Sequence, residues 1–220
     1  MLAPFSMADN SYDFIMYVAR WPGTYTTNTE PSDIDDFALH GFWPTNNDNT
    51  YPQNCDGAKF SMDAISSIVD QLDYLWPDLQ HPGQSPSGFW EHEWSKHGTC
   101  CLDGGACGGA TDQLGFFSFA LKTHTSMDLG SILTSAGIVP STSTKYPMSQ
   151  VASAINGAAG ASPLLTCGKV DGGHGLLRVY MCLDSASLAP ITCPTDVSVK
   201  VNTNNGCGSD STVMLPPINH

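Results

Sequence analysis

Positive charge is scarce in this chain. Its 220 residues hold 8 lysines and arginines against 21 aspartates and glutamates, a formal net charge of −13. At neutral pH such a chain has the wrong sign to attract polyanions from a distance. Below about pH 6 histidines gain protons, and charging all seven would bring −13 to −6. An acidic working compartment is therefore expected. Long apolar runs are missing as well: none approaches the ~20 residues that span a membrane, so no membrane partner is expected. The opening Met1–Asn10 lacks the basic start and apolar stretch of a secretory signal, and no Asn-x-Ser/Thr acceptor occurs. Nor do the eight cysteines show the repeated two-residue spacing of a zinc finger or ribbon.

What is present is a loop-rich globular composition. Apolar residues make up 41%, while Gly and Pro reach 21 and 15, which argues against disorder and for short elements. The length suits one domain over 1–220, with 1–11 as a flexible tail. Eight cysteines, an even and high number, point to a disulfide framework and an oxidising compartment. Disulfides without a signal suggest a chain that begins after a cleaved leader, or a fragment.

Apolar patterning predicts a strand over Asp13–Trp21, stopped by Pro22-Gly23, and a buried strand over Phe37–Phe42. Thr24–Asp36, Asn46–Asp56 and the glycine-rich Cys101–Gly109 are expected as loops. A helical period runs from Ser61 to Trp76, and Pro77 closes it. Further helices are expected within Thr111–Ala136 and at Met148–Ile155, then strands at Leu164–Val170, Leu176–Leu183 and Val197–Val201. Strands at both ends with helices between predict an α+β fold: a central antiparallel sheet with helices around it, stapled by disulfides.

The densest chemistry lies in Phe89-Trp90-Glu91-His92-Glu93-Trp94-Ser95-Lys96-His97-Gly98-Thr99-Cys100. Ser87 is expected to cap this helix and Gly98 to end it. At about 100° per residue, with His92 at zero, Lys96 falls near 40°, Phe89 near 60°, Glu93 near 100° and His97 near 140°. Two imidazoles, a carboxylate, an ammonium and an aromatic ring then share one face. Proton donors and acceptors beside a cation suit a reaction that builds negative charge. A second cluster, His40-Gly41-Phe42-Trp43-Pro44, lies upstream. A lone histidine beside aromatics is more often structural, but two such motifs in one disulfide-rich chain shift those odds.

Together the two motifs resemble the ribonuclease T2 family of secreted acid ribonucleases. The family signature His-Glu-Trp-x-Lys-His-Gly-Thr-Cys is matched in full from His92 to Cys100. The signature His-Gly-Leu-Trp-Pro is matched from His40 to Pro44, with Phe42 in place of Leu. The resemblance implies a metal-independent endoribonuclease without a cofactor. It would act on single-stranded RNA as a monomer, in an extracellular, vacuolar or lysosomal setting. It implies attack of the ribose 2′-hydroxyl on its own phosphorus, loss of the 5′-oxygen and a 2′,3′-cyclic phosphate. One group must take a proton and another give one. The family pattern gives these roles to His97 as base and His40 as acid; the residues alone leave the reverse open. It gives Lys96 the developing charge and His92 the phosphate. Glu93 either stabilises the pentavalent species when protonated or holds a catalytic histidine charged when not. Trp43 and Phe89 are candidates to stack a base or to serve the core; Trp90 and Trp94 are expected in the core. The implied disulfides are Cys55–Cys100, Cys167–Cys207 and Cys182–Cys193, which leaves Cys101–Cys107. Departures from the pattern include Arg20, where relatives often carry a glutamine that touches base, and Arg178, where an acidic residue is common.

Of the other histidines, His81 is expected in a turn, His124 on a helix surface, His174 in a hairpin and His220 in a terminal tail. Two rivals compete. A zinc hydrolase needs two histidines four apart, whereas His92 and His97 are five apart. A non-enzymatic relative would be expected to lose a catalytic histidine, and none is lost here.

Overall fold

A computed structural model describes residues 11–25, 34–102, 107–198, 201, 207 and 212–218. The expected tail over 1–11 and His220 lie almost wholly outside these residues, as do parts of the loops at 26–33 and 103–106.

The sheet is built around β1 (Phe14–Arg20), whose seven residues are all buried. Ile15, Tyr17 and Ala19 enter the larger core, while Phe14, Met16 and Val18 enter a smaller one on the opposite face. A strand covered on both sides reads as one unbroken apolar run. β1 pairs antiparallel with β2 (Ala38–Thr45) on one side and with β5 (Gly173–Asp184) on the other. β4 (Leu164–Val170) and the short β6 (Pro190–Ile191) also pair antiparallel with β5. β3 (Lys145–Pro147) pairs with β7 (Thr212–Met214), and β7 joins β5 in parallel, so the sheet is antiparallel apart from that one junction. These three short strands carry too little pattern to be read from sequence.

Helices cover the larger core. The expected helix over Ser61–Trp76 is a 3₁₀ segment, Asp63–Ile68, followed by α2 (Val69–Leu75); α1 is the single turn Pro22–Tyr25. α3 (Ser87–Glu93) carries the first half of the long motif. α5 (Gln113–Met127) and α6 (Leu129–Ser135) divide at Asp128, which is left-handed (φ 40°) and caps α6 by accepting from Ser131 N–H. α7 spans Met148–Ala159. Trp76, Trp90 and Trp94 are all buried with Phe116 and Phe117 beneath the sheet, as expected for Trp90 and Trp94.

Several expectations are corrected. Ser87 does not cap α3; Pro86 precedes it and no side chain caps it. Gly98 does not end the motif helix, which continues through Trp94–Gly98 into α4 (Thr99–Cys101). Gly98 is right-handed (φ −60°); a Cβ there would lie 2.6 Å from the Trp94 ring and 3.1 Å from Phe116, so glycine serves close packing, not a turn. Residues 195–198 are helical, not part of a strand: Val197 fills the smaller core from a helical turn. Four disulfides are closed: Cys55–Cys100, Cys101–Cys107, Cys167–Cys207 and Cys182–Cys193.

His124 is not on a surface. It is 7% exposed, and Nε2 donates to the Phe37 carbonyl at 2.9 Å. With that tautomer Nδ1 accepts from the Tyr17 hydroxyl at 2.8 Å. Burial lowers this imidazole from 6.5 to about 4. The folded ring therefore stays neutral over a range in which the unfolded chain binds a proton. Stability held above pH 6.5 is lost as pH falls toward 4, by roughly 3 kcal/mol for this residue. Thermal melting from pH 7 down to 4 is expected to show a falling midpoint, with a shallower fall in His124→Gln.

Candidate active site

His40 owes its aim to a defect in the sheet. In the β1–β2 ladder Val18 faces Gly41 and Ala19 faces Leu39, so His40 has no partner and forms a β-bulge. A bulge turns a side chain away from strict alternation. The His40 carbonyl is held by the Trp76 indole N–H at 2.7 Å, and Trp76 is held in turn by α2 and by Trp90.

The second motif reaches the same place through a widened turn. Trp94–Gly98 is a π-helical segment, marked by a bond from Thr99 N–H to the carbonyl of Trp94, five residues back. In this geometry residues five apart come closer around the axis than at 100° per residue. His92 and His97, expected about 140° apart, thus stand with ring centroids 6.5 Å apart.

One cleft of about 400 Å³ is lined by His40, Trp43, His92, Glu93, Lys96 and His97, with Tyr51 and Tyr180. Trp43 stands between the two catalytic candidates: the His40 ring meets it edge-on at 5.0 Å and the His97 ring stacks on it at 5.4 Å. The two imidazoles are therefore separated by no more than one indole. Phe89 lies 5.8 Å from the His40 ring and lines the neighbouring lobe, not this one.

Glu93 sits at the junction, 1% exposed. Its Oε2 accepts from Trp43 Nε1–H at 2.9 Å and its Oε1 lies 3.9 Å from His40 Nε2. Gly41 permits this: a Cβ there would fall 2.3 Å from Glu93 Oε2 and 2.4 Å from Trp43 Nε1. Burial pushes the Glu93 carboxyl up to about 8, against the Trp43 hydrogen bond and the nearby Arg20 and Lys96. Burial likewise lowers His97 to about 3, helped by Lys96 and His92. His40 falls well below its usual range through burial, then through Arg20 and Arg178. His92, more exposed, is lowered by desolvation and by Lys96. Nδ1 of both His40 and His97 is buried without a hydrogen-bond partner among the described residues. The cleft thus favours neutral imidazoles and a protonated carboxyl beside a lysine, an arrangement that can pass protons and welcome an anion.

Tyr51 was not foreseen. Its ring lies 6.3 Å from His97, and Lys96 Nζ sits 5.8 Å over it. It comes from the loop expected over Asn46–Asp56, which is pinned to the motif helix by Cys55–Cys100 and by Asn54 N–H donating to the Lys96 carbonyl at 3.0 Å. An aromatic before Pro52 in a polar loop was the one available hint. His81 holds Asp78 at 2.8 Å in an exposed turn, and His174 lies at the start of β5.

The comparisons with known proteins agree with this geometry. Residues 12–193 match the model of the Ribonuclease T2 family. Extracellular ribonuclease LE of Solanum lycopersicum is 37% identical over 196 residues, covering 85% of this chain and 83% of that protein. Intracellular ribonuclease LX of the same species is 34% identical over 199 residues, covering 86% and 80%. Among solved structures, RNase NT in complex with 5′-AMP superposes with a TM-score of 0.77 at 30% identity, over 94% of this chain and 99% of that one. The chain belongs to the Ribonuclease T2 family and is an endoribonuclease.

Proposed function

We propose that this endoribonuclease cleaves single-stranded RNA without a metal, in two proton transfers around one phosphate. The observation that carries this reading is the convergence of His40, His92, Lys96 and His97 on one cleft beside a buried Glu93. His97 takes the proton of the ribose 2′-hydroxyl as that oxygen attacks phosphorus. His40 gives a proton to the departing 5′-oxygen, and a 2′,3′-cyclic phosphate is left. Lys96 meets the charge that grows on the phosphoryl oxygens. His92, at the mouth, binds the phosphate and does so best when charged. Glu93, neutral through burial, serves as a hydrogen-bond donor to the pentavalent species.

The proton balance fits acidic conditions. A base held at about 3 stays ready down to low pH. The acid side is the limiting one, because His40 resists protonation until a phosphate supplies negative charge. The protein is read as a monomer of the secretory pathway. Its four disulfides and its similarity to an extracellular relative support that setting. Among the described residues no helix is long and apolar enough to cross a membrane.

Two measurements test this. With EDTA present, digestion of single-stranded RNA is expected to yield cyclic phosphate ends, and His40→Ala and His97→Ala are each expected to lower the rate about 10²–10⁴-fold. Chelator-sensitive cleavage, or cleavage undiminished in either variant, contradicts the scheme. The pH profile of kcat/KM is expected to peak on the acid side of 7 and to fall as pH approaches 8, because raising pH strips the donor while the base is already free. A peak well above 7 contradicts it.

A further inference from the structure

Little holds the His40 imidazole by its own polar atoms. Nδ1 has no hydrogen-bond partner among the described residues, and Nε2 lies 3.9 Å from Glu93 Oε1, beyond hydrogen-bond reach. Trp43 and Phe89 only pack against the ring, with centroids 5.0 and 5.8 Å away. The aim of the ring therefore comes from the backbone that carries it. Yet His40 is the one residue of β2 that the β1 ladder leaves without a partner. An unpaired bulge residue lacks the ladder bonds that fix its neighbours.

Trp76 supplies what the ladder does not. Its indole N–H donates to the His40 carbonyl at 2.7 Å. An indole has one donor and no acceptor, and Trp76 is wholly buried. The N–H and the carbonyl thus satisfy each other where either alone would be costly. Trp76 is itself well braced. Its backbone N–H donates to the Leu72 carbonyl at 2.7 Å, and its ring packs on Phe117 with centroids 5.4 Å apart. Its own carbonyl accepts from the Trp90 indole N–H at 2.9 Å. Trp90 belongs to α3, the helix that also carries His92 and Glu93. Two indoles in series therefore join that helix to the bulge. They run behind the cleft, and neither lines it or the neighbouring lobe.

We infer that Trp76 is a positioning residue for the reaction: its indole N–H sets the reach of the His40 imidazole, and Trp90 fixes Trp76 to the motif helix. Without that N–H the carbonyl of residue 40 is free to turn and the imidazole goes with it. A misplacement of about 1 Å can cost roughly 10²-fold in rate. The loss falls on kcat, because every side chain that lines the cleft remains. It falls on departure of the 5′-oxygen, a step that rests on His40 as the acid, as proposed above.

The test replaces Trp76 by benzothienylalanine, in which sulfur takes the place of the N–H and the bicyclic shape is kept. Trp76→Phe is the coarser companion. On cytidylyl-(3′→5′)-adenosine, kcat is expected to fall about 10–100-fold while KM stays within about twofold. The p-nitrophenyl ester of cytidine 3′-phosphate has a leaving group that departs without a proton. On that ester both the Trp76 replacement and His40→Ala are expected to lose less than about threefold. A merely loosened fold would slow both substrates. An undiminished kcat on the dinucleotide overturns the inference. So does an equal loss on both substrates while His40→Ala spares the ester. If His40→Ala itself does not discriminate between the substrates, the acid assignment fails instead, and the Trp76 replacement is judged in the His40→Ala background. No further loss of kcat there supports the positioning role, and a full further loss overturns it.

Discussion

A carboxyl group sealed from water governs the cleft. Glu93 is trapped between the indole of Trp43 and the imidazole of His40, and everything around it depends on its being there without a strong counter-charge. Ionising it would place a negative charge in a nearly dry site, where such a charge costs several kcal/mol unless paired. Keeping it protonated avoids that cost and places an exchangeable proton beside His40. The absence of a side chain at position 41 lets the carboxyl approach the strand. A bulge, a glycine and a widened helical turn thus act on the same few ångströms.

The surrounding electrostatics resolve an apparent conflict. An acidic protein should repel RNA, yet of its eight basic residues Lys96 and Arg20 line the two lobes of the cleft and Arg178, opposite Arg20 on β5, acts on His40 from behind them. In a partly desolvated cleft these charges are screened less than the acidic surface. Burial, and these cations after it, lower the imidazoles of His40, His92 and His97. Local field, not net charge, decides what this protein can hold.

Much of this was legible in the sequence. The dense motif singled out His92, Glu93, Lys96 and His97, because a chain with so few basic residues does not crowd its titratable groups together by chance, and His40 followed only from the pairing of that motif with a second one. The major strands and helices followed from apolar period and from Pro and Gly. What was hidden is geometry set by tertiary partners. The bulge that frees His40 appears only once β1 and β2 are in register. The π-turn that brings His92 toward His97 leaves no mark in an apolar pattern read at 100° per residue. His124 looked like a surface residue because its partners, Tyr17 and Phe37, are distant in sequence. Val197 looked like part of a strand because a β-branched core residue serves a helical turn equally well.

The protonation state of Glu93 tests this account most directly. Infrared difference spectroscopy of the folded, ligand-free protein against Glu93→Gln, followed from pH 5 to 9, reads it without reference to turnover. The account predicts a protonated-carboxyl band, present at pH 6, absent from the variant and titrating near 8. A Glu93 already ionised at pH 5 would contradict it.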